Sequence, residues 1–474
     1  MKTLVKLTVI LILFTSNLWS QTLDDKVLSL EEYLGYVKEF HPVIKQNNLV
    51  LDESQAILMK SRGAFDPKLE VDFDRKEFNG SEYYNKLNGS FKIPTWYGIE
   101  LKANYEQNSG VYLNPEATVP DDGLYSLGVS VSLAKGLLMN KRMATLKKAK
   151  IFQRQAEAEQ KMLTNEILYD AIVAYFDWFK QYREFQVREK FLLNASLRFE
   201  NVKRNFAAGD KPAIDTLEAN ISKNTRKLEY ENARIKYLKS GLALSNFLWL
   251  KDNTPVELQE DMHPDLFSIE SINSIIPSLS NFMDNDSAVA DTLPEMNNHP
   301  KLVSLQAKYE QLNIQKKLKL NNLLPQLDIQ YNFLNEAAEN NMGWNSNNYK
   351  AGLRASFPLF LRKERGDLKL TKLKIQDNEL EQSTAKVSLQ NKWISLNQEL
   401  ISYETQNQIT ENIVNDYTNL LRSEERKFEL GESSLFLVNT RESKLIEAEL
   451  KAIQVQNKFV NVKATLFRIF NGTI

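Results

Sequence analysis

Cysteine is absent from all 474 residues. That excludes disulfides, thiolate metal sites, a cysteine nucleophile and lipid attachment at an N-terminal cysteine. Histidine is nearly absent too: His41, His263 and His299 are the only three. His41 and His299 each precede a proline at a helix start and read as turn or cap residues, whereas a metal site needs closely convergent ligands. No metal and no cofactor is therefore expected. No Ser-His-Asp set, phosphate loop or HExxH pattern occurs, so the chain does not read as an enzyme. A surplus of either charge is missing: 60 basic and 61 acidic residues leave a net charge of −1, with no basic excess to engage nucleic acid. Beyond the N-terminus no apolar run reaches the ~18 residues that mark a spanning helix. If this chain enters a membrane, it must do so as β-strands.

What is present begins with residues 1–20, which read as a secretory signal. Lys2 and Lys6 supply charge, Leu7 to Phe14 an apolar core, and Ser20 a cleavage point before Gln21-Thr22. Leu28 to Arg62 reads as helix, with Ser29 and Glu32 as a capping box and an interruption at His41-Pro42. The period then changes from 3.6 to 2. Leu69, Val71 and Phe73 alternate with Glu70, Asp72 and Asp74, and the same alternation recurs over Leu87–Ile93, Ile99–Tyr105 and Tyr125–Leu133. These are four strands within residues 67–133. One polar face per strand fits either a soluble sheet with a single buried face or a barrel with lipid outside and water inside. A helix without proline or glycine covers residues 139–206, roughly 102 Å at 1.5 Å per residue, and a return helix covers 214–249, roughly 54 Å. With residues 29–62, roughly 51 Å, the two shorter helices match the long one placed end to end.

Residues 251–298, with Pro255, Pro264, Pro277 and Pro294, read as a linker with short helices. The chain then repeats itself. His299-Pro300 echoes His41-Pro42, and Pro325-Gln-Leu-Asp-Ile echoes Pro67-Lys-Leu-Glu-Val, both at an offset of 258. Residues 299–474 thus form a second repeat to match 21–250. Two strands lie within 325–357, a long helix over 361–428 and a return helix over 436–470. Each return helix carries an apolar residue every seven positions: Ile214, Ile221, Leu228, Ile235 and Leu242, then Val438, Leu445, Ala452, Phe459 and Leu466. Such a stripe keeps a narrow seam toward a partner helix. A glycine turn precedes each stripe, Arg204-Asn-Phe-Ala-Ala-Gly209 and Arg426-Lys-Phe-Glu-Leu-Gly431.

The twofold repeat, the Pro-x-Leu strand entries at Pro67 and Pro325, Ser356-Phe-Pro-Leu-Phe360, the paired Arg-x-Phe-x-x-Gly turns and Asp215-Thr-Leu-Glu-Ala219 together resemble the TolC family of outer-membrane efflux and secretion channels, over Leu30 to Phe470. The resemblance implies a mainly α fold with membrane β: duplicated long helical hairpins in an α-barrel, plus strands contributed to a trimeric outer-membrane β-barrel. It implies a passive exit duct of a tripartite efflux or type I secretion system. The partners it implies are two further copies of the chain, a periplasmic adaptor, an inner-membrane RND, ABC or MFS-type pump, and outer-membrane lipid. A periplasmic coiled-coil scaffold without a pore is the alternative; it needs no duplicated hairpins with long alternating strands.

The glycine turns, Gly209 and Gly431, are where such channels narrow to a gate. By spacing from the glycine, Asp215 matches a gate carboxylate, but Phe428 stands where family members have a tyrosine and Ser433 where they have an arginine. Leu437 and Thr440 stand where some members carry ring aspartates. The family's closing bonds therefore do not carry over, and the candidate gate is Gly209, Asp215, Phe428, Gly431, Glu432 and Ser433. Asp215 reads equally as an acidic residue favoured by the helix dipole. Trp96 and Tyr97 read either as membrane-interface anchors or as turn aromatics. Family members give four strands per chain, whereas six are counted here. The additional pair, within residues 87–105, lies either in the barrel wall or in a hairpin beyond the membrane.

Overall fold

The computed structural model describes residues 26–259, 261–269, 296–336 and 346–470. The signal expected at 1–20 and part of the segment 251–298 lie outside the described residues. In chain order the elements are β1 (Val27–Leu28), α1 (Leu30–Phe40), α2 (Pro42–Arg62), β2 (Lys68–Phe78), β3 (Ser81–Pro94), β4 (Ile99–Ser109), β5 (Leu124–Ser132), α3 (Lys141–Ala207), α4 (Ala213–Ser245), β6 (Trp249–Leu250), β7 (Thr254–Pro255), β8 (His263–Pro264), α5 (Pro300–Asn321), β9 (Gln326–Glu336), β10 (Tyr349–Ser356), α6 (Arg362–Glu429) and α7 (Leu435–Phe470). No described helix is long and apolar enough to cross a membrane.

Local chemistry sets the helix ends. Ser29 Oγ accepts from the Glu32 amide at 3.2 Å and caps α1. The two His-Pro pairs are N-caps of one design. His41 Nδ1 accepts from the Val43 amide at 3.2 Å and His299 Nδ1 from the Lys301 amide at 3.0 Å, each with proline as the first helical residue. The interruption expected at His41-Pro42 divides the N-terminal helix into α1 and α2. Asn140 Oδ1 caps α3 by accepting from the Met143 amide at 2.8 Å. With neither proline nor glycine inside it, α3 then runs for 67 residues.

The chain divides into two compact units. The first takes the described residues of Met1–Ile44, Glu166–Asp291 and Ser395–Ile469. Its core gathers the fully buried Tyr33, Ile172, Tyr175, Phe176, Trp178 and Leu244. Tyr175 Oη donates to the Leu28 carbonyl at 2.8 Å and pairs with Ser268 Oγ at 2.7 Å, so the one polar atom of a buried aromatic is satisfied. Parallel pairing of β1 with β8 ties the residues before α1 to those after β7.

The second unit takes Lys45–Asn165, Thr292–Ile394 and the described residue of Phe470–Ile474. Its centre is one antiparallel sheet of six strands in the order β10-β9-β5-β4-β3-β2. A two-residue turn joins β2 to β3, with Asn79 at φ 51° and Gly80 at φ 72°, the left-handed pair that a tight hairpin demands. This Asn-Gly signal lengthens both strands beyond the alternation read from the sequence alone. Gly128 lets β5 approach β9: a Cβ there would lie 2.4 Å from the Tyr331 carbonyl oxygen.

Residues 87–105 lie inside this ladder, as β3 and β4. The turn between them carries Trp96, whose ring stacks on Phe65 at 5.5 Å and packs against the Leu58–Leu146–Ala149 and Met139–Met143–Ala144 clusters. Asn140 Nδ2 donates to its carbonyl at 2.9 Å. Trp96 is thus a turn aromatic that plugs the ends of α2 and α3, while Tyr97 beside it is exposed.

On α4 the seam expected toward a partner helix meets no such helix among the described residues of the single chain. The stripe Ile214, Ile221, Leu228, Ile235 and Leu242 on α4 is exposed, Leu228 at 65%. The buried residues of α4 include Ala219, Arg226, Ala233 and Ser240, a second seven-residue series five positions out of phase with the first. Small side chains let α4 approach its neighbours closely, and the one long member, Arg226, is accommodated by ion pairing rather than by apolar contact. On α7 the expectation holds: Val438, Leu445 and Leu466 are buried, and the first two pack with Phe191, Leu421 and Ile446.

Candidate functional site

Two features stand out chemically: the faces of the sheet, and the polar contacts below the glycine turns. The register sorts every strand the same way. Leu69, Val71 and Phe73 of β2 lie opposite Phe91, Gly89 and Leu87 of β3. The row continues through Leu101, Ala103 and Tyr105, through Tyr125, Leu127, Val129 and Val131, and through Ile329, Tyr331 and Phe333 to Tyr349, Ala351 and Leu353. The opposite face holds Glu70, Asp72, Asp74, Lys86, Lys92, Glu100, Lys102, Ser130, Asp328, Gln330, Lys350 and Arg354 by the same register. A water-soluble sheet buries its apolar face. Here that face is open, with Leu69 at 75% and Leu353 at 68% exposure. Lys60, Lys102, Lys141, Arg142, Glu100 and Asp328 line a cavity of about 840 Å³ on the polar side. Among the described residues both outer strands, β2 and β10, keep one edge unpaired.

The turns are twin structures. Asp210 N donates to Asn205 O at 2.9 Å and Gly209 N to Phe206 O at 3.0 Å; Glu432 N donates to Lys427 O at 2.8 Å and Gly431 N to Phe428 O at 3.1 Å. Each is a Schellman cap with its glycine in the left-handed region, at φ 86° and 80°. The paired Arg-x-Phe-x-x-Gly motif is therefore a helix-stop signal, whatever else it does.

Of the predicted gate residues, Phe428 is half-buried, packs beside Val202, Ala219 and Leu435, and carries the Lys211 ammonium 4.7 Å from its ring centroid. Ser433 Oγ donates to Glu424 Oε1. Glu432 is exposed and acts through its backbone amide alone among the bonds above. Asp215 sits in the first turn of α4, its amide donating to Pro212 O at 3.2 Å. The structure unites Lys211 with Phe428 and Ser433 with Glu424; it does not bring Asp215 to Phe428 or Ser433.

The tie between the two hairpins lies elsewhere, in residues that sequence reading did not single out. Glu442 of α7 has a fully buried side chain. Its Oε2 accepts from Arg198 Nη2 of α3 at 2.7 Å, and its Oε1 lies 3.4 Å from Arg226 Nε of α4. Arg198 also donates to Glu425 of α6 at 3.1 Å. Arg226 donates to Glu229 at 3.1 Å and to Ser443 Oγ at 2.8 Å. Arg188 reaches Glu229 at 2.6 Å, and Asn439 Nδ2 donates to Glu218 at 3.1 Å. Three helices, α3, α4 and α7, thus meet on one buried carboxylate, and Arg198 ties in α6 through Glu425. The available signal was Arg226 itself, in phase with Ala219, Ala233 and Ser240.

Among the described residues no group of His, Asp and Glu is arranged to hold a metal. The comparisons accord with this geometry. Residues 295–472 match the family described as outer membrane efflux protein. No curated protein matches the chain by sequence. Solved structures match the fold over nearly its whole length. The CmeC outer membrane channel of Campylobacter jejuni is 13% identical with a TM-score of 0.64, covering 97% of this chain and 88% of its own. The outer membrane protein VceC of Vibrio cholerae is 12% identical at 0.64, covering 94% and 97%. The open state of the MtrE outer membrane channel of Neisseria gonorrhoeae is 13% identical at 0.63, covering 94% and 89%. The fold is that of outer-membrane channels.

Proposed function

We propose, from the outer membrane efflux match over residues 295–472 and the channel fold of the whole, that this chain is one protomer of an outer-membrane export duct. The duct is a homotrimer, a passive exit for substrates driven by an inner-membrane pump through a periplasmic adaptor. The observation that carries the reading is the six-stranded sheet: apolar on one open face, charged on the other, with an unpaired edge at each end. Lipid accepts the apolar face, water fills the polar side, and neighbouring copies must satisfy the edges, since no open sheet edge survives in hydrocarbon. A scaffold without a pore would leave that apolar face exposed to water, which the sequence pattern does nothing to blunt.

The gate of this duct is at the Schellman turns, where Gly209, Asp215, Phe428, Gly431, Glu432 and Ser433 lie. The Arg198–Glu442–Arg226 network supports closure by fastening one hairpin to the other, in place of the tyrosine and arginine bonds that Phe428 and Ser433 cannot make. Purified in detergent, the protein should have three times the chain mass and give discrete conductance steps in planar bilayers. A stable monomer that conducts nothing would overturn this reading.

A further inference from the structure

The two free sheet edges carry enough information to say how copies of the chain join. We propose that β10 of one copy pairs antiparallel with β2 of the next, with Arg354 opposite Glu70 and Lys350 opposite Asp74, closing an eighteen-stranded wall in the trimer. This rests on the export-duct reading and adds the partner edge, the register and the strand number.

The argument starts from direction. Successive strands of the sheet alternate, so β2 and β10, first and last of six, run oppositely. A β10 edge therefore meets a β2 edge antiparallel, as every other pair in the sheet meets. Face comes next. Lys350, Gly352, Arg354 and Ser356 share the polar face with Lys68, Glu70, Asp72 and Asp74, because register partners run level from Lys68 through Lys92, Lys102, Gly128 and Asn332 to Lys350. A slip of one residue would turn each row to the wrong side.

Charge then chooses among the registers that keep faces aligned. The polar side of the β10 edge is basic and that of the β2 edge mainly acidic. With Ser356 opposite Lys68, Arg354 meets Glu70 and Lys350 meets Asp74, and Leu353 and Ala351 meet Val71 and Phe73 on the apolar face. All eight residues of β10 find partners inside β2. A slip of two in one direction sets Arg354 against Lys68; in the other it sets Lys350 against Lys76. Like charges directly opposite are unfavourable.

This register also closes geometrically, which the charges did not guarantee. The level row that starts at Lys68 reaches Lys350 and passes to Asp74 of the next copy, an advance of six residues per copy. Three copies advance eighteen residues over eighteen strands. With a rise near 3.3 Å per residue and strands near 4.8 Å apart, the strands tilt by about 35°, inside the range of membrane barrels. The wall is then about 35 Å across between backbones. Barrels of this strand number hold an open aqueous channel, so the membrane segment of this duct is porin-wide. β3 and β4 cannot be left out of it, because they stand between β2 and β5 in the ladder, paired over Asn85–Pro94 and over Ile99–Glu106.

The natural absence of cysteine makes the test clean. Paired substitutions Val71→Cys with Leu353→Cys, and Phe73→Cys with Ala351→Cys, are oxidised after the detergent-purified protein has assembled. Directly opposite residues lie ~4.5–5.5 Å apart and diagonal ones ~7–8 Å, at or beyond the reach of a disulfide. Both pairs should form a three-chain covalent ring, at least ~tenfold more efficiently than the displaced pairs Leu69→Cys with Leu353→Cys and Phe73→Cys with Leu353→Cys. Conducting trimers that link better through a displaced pair would overturn the register, and conducting trimers that link through none of these pairs would overturn the eighteen-strand wall as well, with the duct left standing in both cases. A monomer without conductance would overturn both.

Discussion

Glu442→Gln is the sharpest probe of the hairpin tie. The substitution keeps the side-chain shape but removes the one negative charge that both guanidinium groups approach. Arg198 loses a charge-assisted bond of 2.7 Å and Arg226 loses a contact of 3.4 Å. Stripping a buried charge of its only partner costs about 3–5 kcal/mol. Here Arg198 keeps Glu425 and Arg226 keeps Glu229, and the Gln oxygen still accepts a weaker bond. A single hydrogen bond to a charged group contributes about 1.5–3 kcal/mol, so the loss should be about 2–3 kcal/mol. Trimeric membrane proteins unfold irreversibly in practice, so the assay is a rate: the half-life of the folded species in detergent at fixed temperature. If the network forms late in folding, unfolding should accelerate roughly 30–150-fold. In bilayers the same variant should conduct more than wild type, because the hairpins are no longer fastened. Replacing Arg198 and Arg226 by Met and Glu442 by Leu together should restore most of the lifetime, since apolar side chains of similar volume often substitute for buried ions without loss. An unfolding rate for Glu442→Gln within about threefold of wild type would refute the reasoning.

Two further outcomes follow from the same packing. Leu228→Asp, on the open stripe of α4, should leave the single chain folded but lower the yield of trimer, whereas Ala219→Leu, on the buried series, should overpack the chain itself by about 1–3 kcal/mol. Protease resistance of the monomeric species and trimer yield by size separation distinguish the two, and equal effects in both assays would mean that α4 presents its faces the other way. His41 gives a pH dependence. Burial is the main cause holding its imidazole below the usual 6.5, partly opposed by a backbone hydrogen bond at Asn246, and its Nδ1 must stay unprotonated to cap α2. The unfolded chain therefore takes up a proton more readily than the folded one, and stability falls as pH drops below 6.5 toward the folded value. His41→Asn keeps a capping oxygen but does not titrate, so its thermal midpoint should change less between pH 7.5 and 5.5 than that of wild type. Parallel losses in both proteins would remove His41 as the cause.

What the sequence determined alone is what short-range chemistry enforces. Period-two alternation over residues 69–73, 87–93, 99–105 and 125–133 located strands because a pleated backbone sends successive side chains to opposite faces. The Arg-x-Phe-x-x-Gly turns and the His-Pro pairs located helix ends because caps are made within five residues of chain. The repeat offset of 258 exposed the duplication. What only the tertiary structure decided is non-local. A seven-residue stripe states that a helix has two distinct sides, but not which side faces inward, and on α4 the apolar one faces out. Arg226 reads as a surface charge until Glu442, more than two hundred residues later, is placed beside it in the core. Trp96 reads as either an interface anchor or a turn residue until Phe65 and the ends of α2 and α3 surround it. Asp215, matched to a gate by spacing, has no tie to Phe428 or Ser433, because spacing along a helix fixes height and not the partner across the gap. The six strands were legible one by one; that they form a single ladder depended on hydrogen bonds between residues as far apart as Ser132 and Asp328, which no local pattern encodes.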